Sequence, residues 1–283
     1  MNYHHMPTSF GRNSYKVNSR EPLSNDQLRS IVPAIFADDA HHSRSEKYVY
    51  VPTIKLVEGL RREGWAPFFA VQAKPRAADK IGHAKHMLRL RRPGDIGSAE
   101  AAEVVIVNSH DGSTSYQMFA GMIRFVCTNS MIGGTRFEEV RVPHKGHIQN
   151  QIIEGAYTVA QDFPRLMDAT DSMKALQLTR DEQRAYASAA LVARYGEEVA
   201  PVQPEQILRP RRSEDAGNSS LWQTMNTVQE NIIRGGLMGR KADDRGLVRR
   251  ARTRAINGID QNVTVNRALW TLADEMQRIK SMA

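Results

Sequence analysis

The spacing of apolar residues changes within the first half of the chain. From Ile54 to Glu63 apolar residues recur at intervals of three to four, which predicts an amphipathic helix with Thr53 as its N-cap and Gly64 after its end. Beyond Gly64 the period shortens to about two, which is typical of strands. Three strands are predicted, at 65–76, 83–92 and 103–108.

A helical spacing then returns at 116–129, with an apolar stripe of Phe119, Met122, Ile123, Val126 and Cys127. The predicted order of helix, three strands and helix indicates an α+β fold. Its core is a three-stranded antiparallel sheet between two helices, and we place this core at 45–147.

The chain on either side of this core has a different character. Residues 1–44 are polar and predict an arm followed by a short helix at 26–38. Residues 148–283 predict a mainly helical region with helices at 148–167, 182–195, 221–234 and 262–279 and a linker at 201–217. Pro164 is expected to break the first of these helices.

Composition excludes several classes of protein. The 283 residues contain a single cysteine, Cys127, so neither a disulfide framework nor a cysteine-rich zinc finger is possible. Every apolar run is shorter than the roughly 18 residues of a membrane helix. We therefore expect a cytoplasmic protein that has no membrane partner and no cofactor.

Positive charge is concentrated in two segments. Seven Lys or Arg against one acid occupy 74–92, and eight against two occupy 234–254, in a chain of net charge +8. Such clustering is expected of a surface that binds phosphates, although two solvated basic faces are the alternative. The candidate nucleic-acid contacts are Lys74, Arg76, Lys85, Arg89, Arg91, Arg92, Arg240, Lys241, Arg249, Arg250, Arg252 and Arg254.

Several motifs resemble a known family. They include the run Asn108-Ser109-His110-Asp111-Gly112, followed by Arg124, Cys127 and Asn129, and the upstream pattern His86-Met87-Leu88-Arg89-Leu90. These motifs, with Leu221-Trp222 and Asn266-Arg267-Ala268-Leu269-Trp270 downstream, resemble the phage- and plasmid-borne family of unknown function numbered nine-three-two. The resemblance implies mobile-element biology and no established reaction.

A weaker similarity concerns the single-strand annealing proteins of the RecT, Erf and Rad-fifty-two class. It rests on the predicted element order and on Gly64-Trp65 before the first strand. It implies a self-assembling oligomer that lays single-stranded DNA along a basic groove and catalyses no covalent change. Trp65 and Phe68 are candidates for stacking on bases, with burial in the core as the alternative.

Two further functions remain open. An inhibitor of a host defence system would act by binding a protein, and a metal-dependent nucleic-acid enzyme would need ligands. His83 and His86 fall on opposite faces of a strand and make a poor metal pair, so no metal site is predicted. His110 and Asp111 are interpreted as part of a turn, and Cys127 as a small buried hydrophobe.

Overall fold

The computed structural model describes residues 14–44, 48–75, 77–94, 99–125, 129–134, 137, 139–144, 148–196, 199–242 and 245–282. The helices of four residues or more, short 3₁₀ turns aside, are α1 (Asn25–Ile31), α2 (Thr53–Arg62), α3 (Ile148–Gln161), α4 (Phe163–Ala175), α5 (Arg180–Tyr195), α6 (Pro204–Ile207), α7 (Leu221–Arg234) and α8 (Ile259–Met282). The strands are β1 (Ser14–Asn18), β2 (Ala66–Ala73), β3 (His86–Arg91), β4 (Glu100–Asn108), β5 (Tyr116–Arg124), β6 (Asn129–Ile132), β7 (Glu139–Val142), β8 (Met238–Ala242) and β9 (Val248–Arg252).

The α+β class is as expected, but the predicted three-stranded sheet is wrong. The three expected strands are present as β2, β3 and β4, in an antiparallel sheet of seven strands. Strand β1 pairs with β2 at one edge, and β5 continues the sheet beyond β4 and pairs with both β6 and β7. A second sheet contains β8 and β9 alone. The stretch that we expected to be a polar arm therefore supplies an edge strand.

The largest error is the helix predicted at 116–129, because Tyr116–Arg124 is strand β5. Its Met118 and Ala120 belong to one hydrophobic cluster and Phe119 to another, on the two faces of the sheet. A strand that is covered on both faces loses the alternation of polar and apolar residues, and its apolar spacing then also fits a helix. Gly121 lets the neighbouring strands approach closely, since a Cβ there would lie 3.0 Å from Val105 Cγ2.

The helical half agrees better with its pattern. Helix α7 has the predicted bounds, with the Ser220 side chain accepting a hydrogen bond from Gln223 N at its start and Gly235 at positive φ after its end. Pro164 lies at the start of α4, where the predicted long helix divides into α3 and α4. None of the described helices is both long enough and apolar enough to span a membrane.

Helices cover both faces of the large sheet. One face packs against α2, α3, α7 and α8 through a cluster that includes Leu56, Leu88, Ile106, Ile152 and Trp270. The other face packs a smaller cluster against the first turns of α8: Phe69, Val71, Met87, Val105, Val107, Phe119, Ile132, Ile259 and Val263. The strand β8–β9 pair emerges between α7 and α8 and contributes no residue to either cluster.

Candidate nucleic-acid interface

Strands β8 and β9 form a ribbon, here called the basic hairpin, that carries most of the second basic segment. We expected a basic helix or a partly disordered arm there, and the structure shows a hairpin instead. Arg240 lies opposite Arg250, and Lys241 lies opposite Arg249. All four side chains are exposed. Like charges directly opposite each other in an antiparallel pair are destabilising, so an anion bound along the hairpin would stabilise it.

The base of the basic hairpin is firmly held. Thr253 N donates to Leu237 O at 2.9 Å, and Gly236 N donates to Thr253 O at 2.8 Å. On the β8 side, Arg240 N donates to Pro201 O at 2.8 Å. An isolated two-stranded hairpin is only marginally stable in water. These contacts therefore fix the direction in which the basic hairpin projects.

A cleft of about 520 Å³ runs beside the basic hairpin. Its lining combines the side chains of Arg240 and Arg250 with Gln203 and Gln206 from the start of α6. The Gln206 amide donates to Met238 O at 2.7 Å, which ties α6 to the ribbon. Guanidinium groups match the geometry of phosphate oxygens and bind them bidentately. The cleft thus presents two phosphate-binding groups at a concave surface.

The predicted row of cations on β3 does not lie on the surface. Arg89 is 6% exposed and Arg91 is 1% exposed, and both point at the buried carboxylate of Glu103. Their Nε atoms lie 3.7 and 3.8 Å from its two oxygens. Burial lowers the pKa of both guanidinium groups, and the Glu103 charge opposes this shift. We conclude that these two arginines balance a charge inside the protein and offer no exposed contact to DNA.

The remaining predicted contacts of the first segment are scattered. Lys74 and Arg92 are exposed, whereas the Lys85 ammonium group bonds to Asp260 at 2.7 Å. Arg76 lies outside the described residues. Trp65 is 3% exposed and Phe68 is fully buried, so neither presents a stacking surface to a base. The aromatic pair belongs to the core, which was the alternative interpretation.

A second cavity, between β2, β3 and the start of α8, is lined by Lys16 and Arg89. It has about 30 Å³ of free space, which is room for one or two water molecules. Burial and the nearby Arg89 charge lower the pKa of Lys16 to about 7. A cavity this small excludes a nucleotide, so the basic hairpin and its cleft remain the candidate interface.

A family model described as Domain of unknown function (DUF932) matches residues 40–270. The chain belongs to this family. Two relatives from Escherichia coli (strain K12), UPF0380 protein YfjQ and UPF0380 protein YafZ, are 49% and 48% identical over 255 residues, covering 90% of this chain and 92% of each relative. No solved structure matches the chain.

Membership of the DUF932 family confirms the resemblance found in the motifs. The similarity to single-strand annealing proteins gains no support. It rested on a predicted element order that ends in a helix, and that segment is strand β5 in the structure.

The DUF932 match includes both the basic hairpin and the motif run at 108–112. Of the other motif residues, Arg124 Nη2 bonds to Asp215 at 2.6 Å, Cys127 lies outside the described residues, and only the backbone of Asn129 is described.

The DUF932 motif run forms a turn between β4 and β5. Thr114 N donates to Ser109 Oγ at 2.9 Å, and Ser113 N donates to Asp111 Oδ1 at 2.9 Å. Gly112 has a φ of 74°, a left-handed conformation that glycine adopts without strain. Ser109 and Asp111 thus make the side-chain-to-backbone bonds expected of a turn.

Asn108 and His110 instead point into a buried polar network centred on Thr53, the first residue of α2. The Thr53 hydroxyl lies 2.9 Å from His86 Nε2, 3.1 Å from His110 Nε2 and 3.2 Å from Asn108 Nδ2. His144 Nε2 lies 3.1 Å from Asn108 Oδ1. No local pattern indicates that α2, β3 and β4 share these polar side chains, because the network joins residues far apart in the chain.

The hydrogen bonds assign the tautomers in this network. His86 Nδ1 lies 3.0 Å from Ala84 O and must donate, so His86 Nε2 accepts the Thr53 hydroxyl proton. Because that proton is already committed, His110 Nε2 must donate to Thr53, and its buried Nδ1 then has no hydrogen-bond partner among the described residues. Burial lowers the pKa of His86 to about 4 and that of His110 to about 2. Both rings are therefore neutral at pH 7. The network connects the start of α2 to β3 and to the end of β4 through hydrogen bonds.

Proposed function

We propose that this protein binds DNA through the sugar–phosphate backbone without reading base sequence, and that the basic hairpin is the main contact. The observation that carries this proposal is the register of the hairpin, which places Arg240 against Arg250 and Lys241 against Arg249 on an exposed ribbon. Arg240 and Arg250 carry like charges at directly opposite positions, and a bound polyanion would reduce their repulsion. Contacts to phosphates alone position a protein on DNA but carry no sequence information.

Single-stranded DNA is the proposed form. The cleft of about 520 Å³ beside the hairpin has the size of a site for a small-molecule ligand, such as one nucleotide of a flexible strand. A stiff duplex does not bend into a cleft of this size, whereas a single strand does. Phosphate binding by Arg240 and Arg250 inside the cleft would hold the strand there, and the amides of Gln203 and Gln206 would face its sugars or bases.

The test is fluorescence anisotropy with labelled single-stranded and duplex oligonucleotides over a series of salt concentrations, with a chelator present. The variant Arg240→Ala, Arg250→Ala is compared with the parent protein. Each lost contact to a single strand should lower the slope of log affinity against log salt by about 0.7, so the double variant should lose about 1.4. The control, Arg62→Ala with Arg180→Ala, removes the same charge from exposed positions on α2 and α5.

The control variant is expected to have the same slope of log affinity against log salt as the parent protein, because charges far from the contact contribute little to this slope. If both double variants lose the same slope, binding depends on net charge and the hairpin is not the contact. Absence of binding at low salt would refute the proposal altogether. If the protein binds duplex DNA more tightly than single strands, the hairpin can still be the contact, but single-stranded DNA is not the preferred ligand.

A further inference from the structure

Three side chains with metal-binding atoms meet beside the motif turn. The nitrogens of His41 and His42 and a carboxylate oxygen of Asp79 all lie within 4.8 Å of one another. We propose that these three residues bind one divalent transition-metal ion. Two imidazoles and one carboxylate are a ligand set that suits zinc in sites with an open coordination position. Our prediction from sequence contained no metal site, because adjacent histidines in a polar loop give no signal of a distant Asp79.

The distances fit a tetrahedral ion with little movement. Bond lengths of about 2.0–2.1 Å place the ligand atoms of tetrahedral zinc about 3.3 Å apart. His41 Nε2 and Asp79 Oδ2 are 3.2 Å apart. The pairs that are farther apart need to close by at most about 1.5 Å. Because His42 and Asp79 are exposed, rotation of their side chains can supply this movement.

His41 is the fixed point of the cluster. It is 3% exposed, its N donates to His110 O at 3.2 Å, and its O accepts from Arg44 N at 2.9 Å. Its Nδ1 lies 2.8 Å from Ser43 Oγ. Ser43 N also donates to Nδ1 at 3.3 Å, so in the metal-free protein Nε2 carries the proton and donates to Asp79 Oδ2 at 3.2 Å. A metal ion at this position would displace that proton from Nε2 and bind its lone pair. The proton would then lie on Nδ1 and face Ser43 Oγ, and a ligand histidine that donates its other N–H is the usual arrangement around zinc.

The open side of the cluster faces a cleft. His42 and His83 line it together with Asp38 and Asp39, in a volume of about 510 Å³. The two carboxylates favour a cation there. His83 Nε2 must donate to Asp39 O at 3.1 Å, so its Nδ1 carries a lone pair, and this atom has no hydrogen-bond partner among the described residues. The His83 ring centre is 5.3 Å from that of His41, but the ligand atoms that lie within 4.8 Å of one another include no nitrogen of His83, so His83 is a neighbour of the site and not one of its ligands.

Zinc binding by the whole 283-residue chain tests the site. Titration calorimetry with zinc would follow chelator treatment, and the absorption spectrum of bound cobalt would report the coordination geometry. The parent for these measurements carries His4→Ala and His5→Ala, because adjacent histidines bind zinc weakly by themselves. We expect one equivalent of zinc and a tetrahedral cobalt spectrum.

His42→Ala and Asp79→Asn should each weaken binding by at least about 100-fold, the upper end of the loss seen when even a supporting residue is removed. Asp168→Asn, an exposed carboxylate on α4, is the control and should bind as the parent does. Parent-like thermal unfolding of the metal-free variants would show that the fold is retained. The proposal is overturned if the parent binds no stoichiometric zinc, or if His42→Ala and Asp79→Asn bind zinc like the control. The metal is measured without DNA, so this result is independent of the function proposed above.

Discussion

Replacement of Glu103 by glutamine tests how the buried charges of the sheet are balanced. Glu103 is fully buried on β4 and lies between the guanidinium groups of Arg89 and Arg91. Each arginine also covers an aromatic ring, Arg89 at 4.3 Å from the Phe69 centre and Arg91 at 4.2 Å from the Phe68 centre. Glutamine keeps the shape of the side chain and removes its charge. Two buried cations then face each other without a counter-charge.

Removal of one partner from a buried ion pair costs about 3–5 kcal/mol, because the remaining charge stays desolvated. The contacts at 3.7 and 3.8 Å are longer than hydrogen bonds, so the cost for each arginine should lie near the lower end of this range. Two arginines lose their partner, however, which raises the total cost. We therefore expect the free energy of unfolding to fall by about 3–5 kcal/mol. For a chain of this size each kcal/mol lowers Tm by roughly 2 °C, so Tm should fall by at least about 6 °C.

Thermal and urea unfolding followed by circular dichroism would measure the change, in a buffer free of phosphate so that no added anion replaces the carboxylate. Glu154→Gln, at an exposed position of α3, is the control and should change stability by less than about 0.5 kcal/mol. The triple variant Arg89→Met, Glu103→Leu, Arg91→Met should recover most of the loss, since a buried ionic group replaced as a whole by apolar residues is often neutral. A Glu103→Gln protein that melts within 1 °C of the parent would refute the role assigned to Glu103.

Two more predictions concern the Thr53 network. Thr53→Val should lower the free energy of unfolding by about 3 kcal/mol in urea, because His86, His110 and Asn108 would lose their shared partner; parent-like stability would show that the network contributes nothing. The free energy of unfolding should also fall in acid. The pKa values of His86 and His110 are lowered from 6.5 to about 4 and about 2 in the folded protein, so below pH 6.5 the unfolded chain binds more protons than the folded one. The free energy of unfolding should therefore decrease by up to about 2.7 kcal/mol per pH unit between pH 6 and 4.5, and equal stability at pH 7 and pH 5 would contradict this.

Local signals accounted for the elements that the sequence predicted well. Helix α7 begins after a serine cap and ends at Gly235, and both signals act within one turn of the chain. Helix α2 and strands β2–β4 likewise have a clear period, although the structure starts α2 at Thr53 and makes Pro52 its N-cap. Strands β2–β4 are buried on both faces, but turn residues bound them in the sequence, so neighbouring residues suffice to identify these elements.

The missed features depend on residues that are distant in sequence. Strand β5 was interpreted as a helix because its two buried faces hide the period of a strand. The metal-ligand cluster joins His41 to Asp79, and the Thr53 network joins α2 to β3, to the end of β4 and to His144, so neither has a local pattern. The sequence located the basic segments correctly, but it contained no information on whether each positive charge would face solvent or a buried carboxylate.

That difference separates the two basic segments. On β3 the charges of Arg89 and Arg91 are compensated within the fold by Glu103 and by two aromatic rings, so their burial requires no partner molecule. On the basic hairpin the register instead places Arg240 opposite Arg250 on an exposed ribbon whose base is anchored to the core. Two segments of equal net charge thus have different physical consequences. A polyanion would reach the hairpin and would have no access to Arg89 and Arg91 on β3, which is why the proposed DNA contact lies in the second segment.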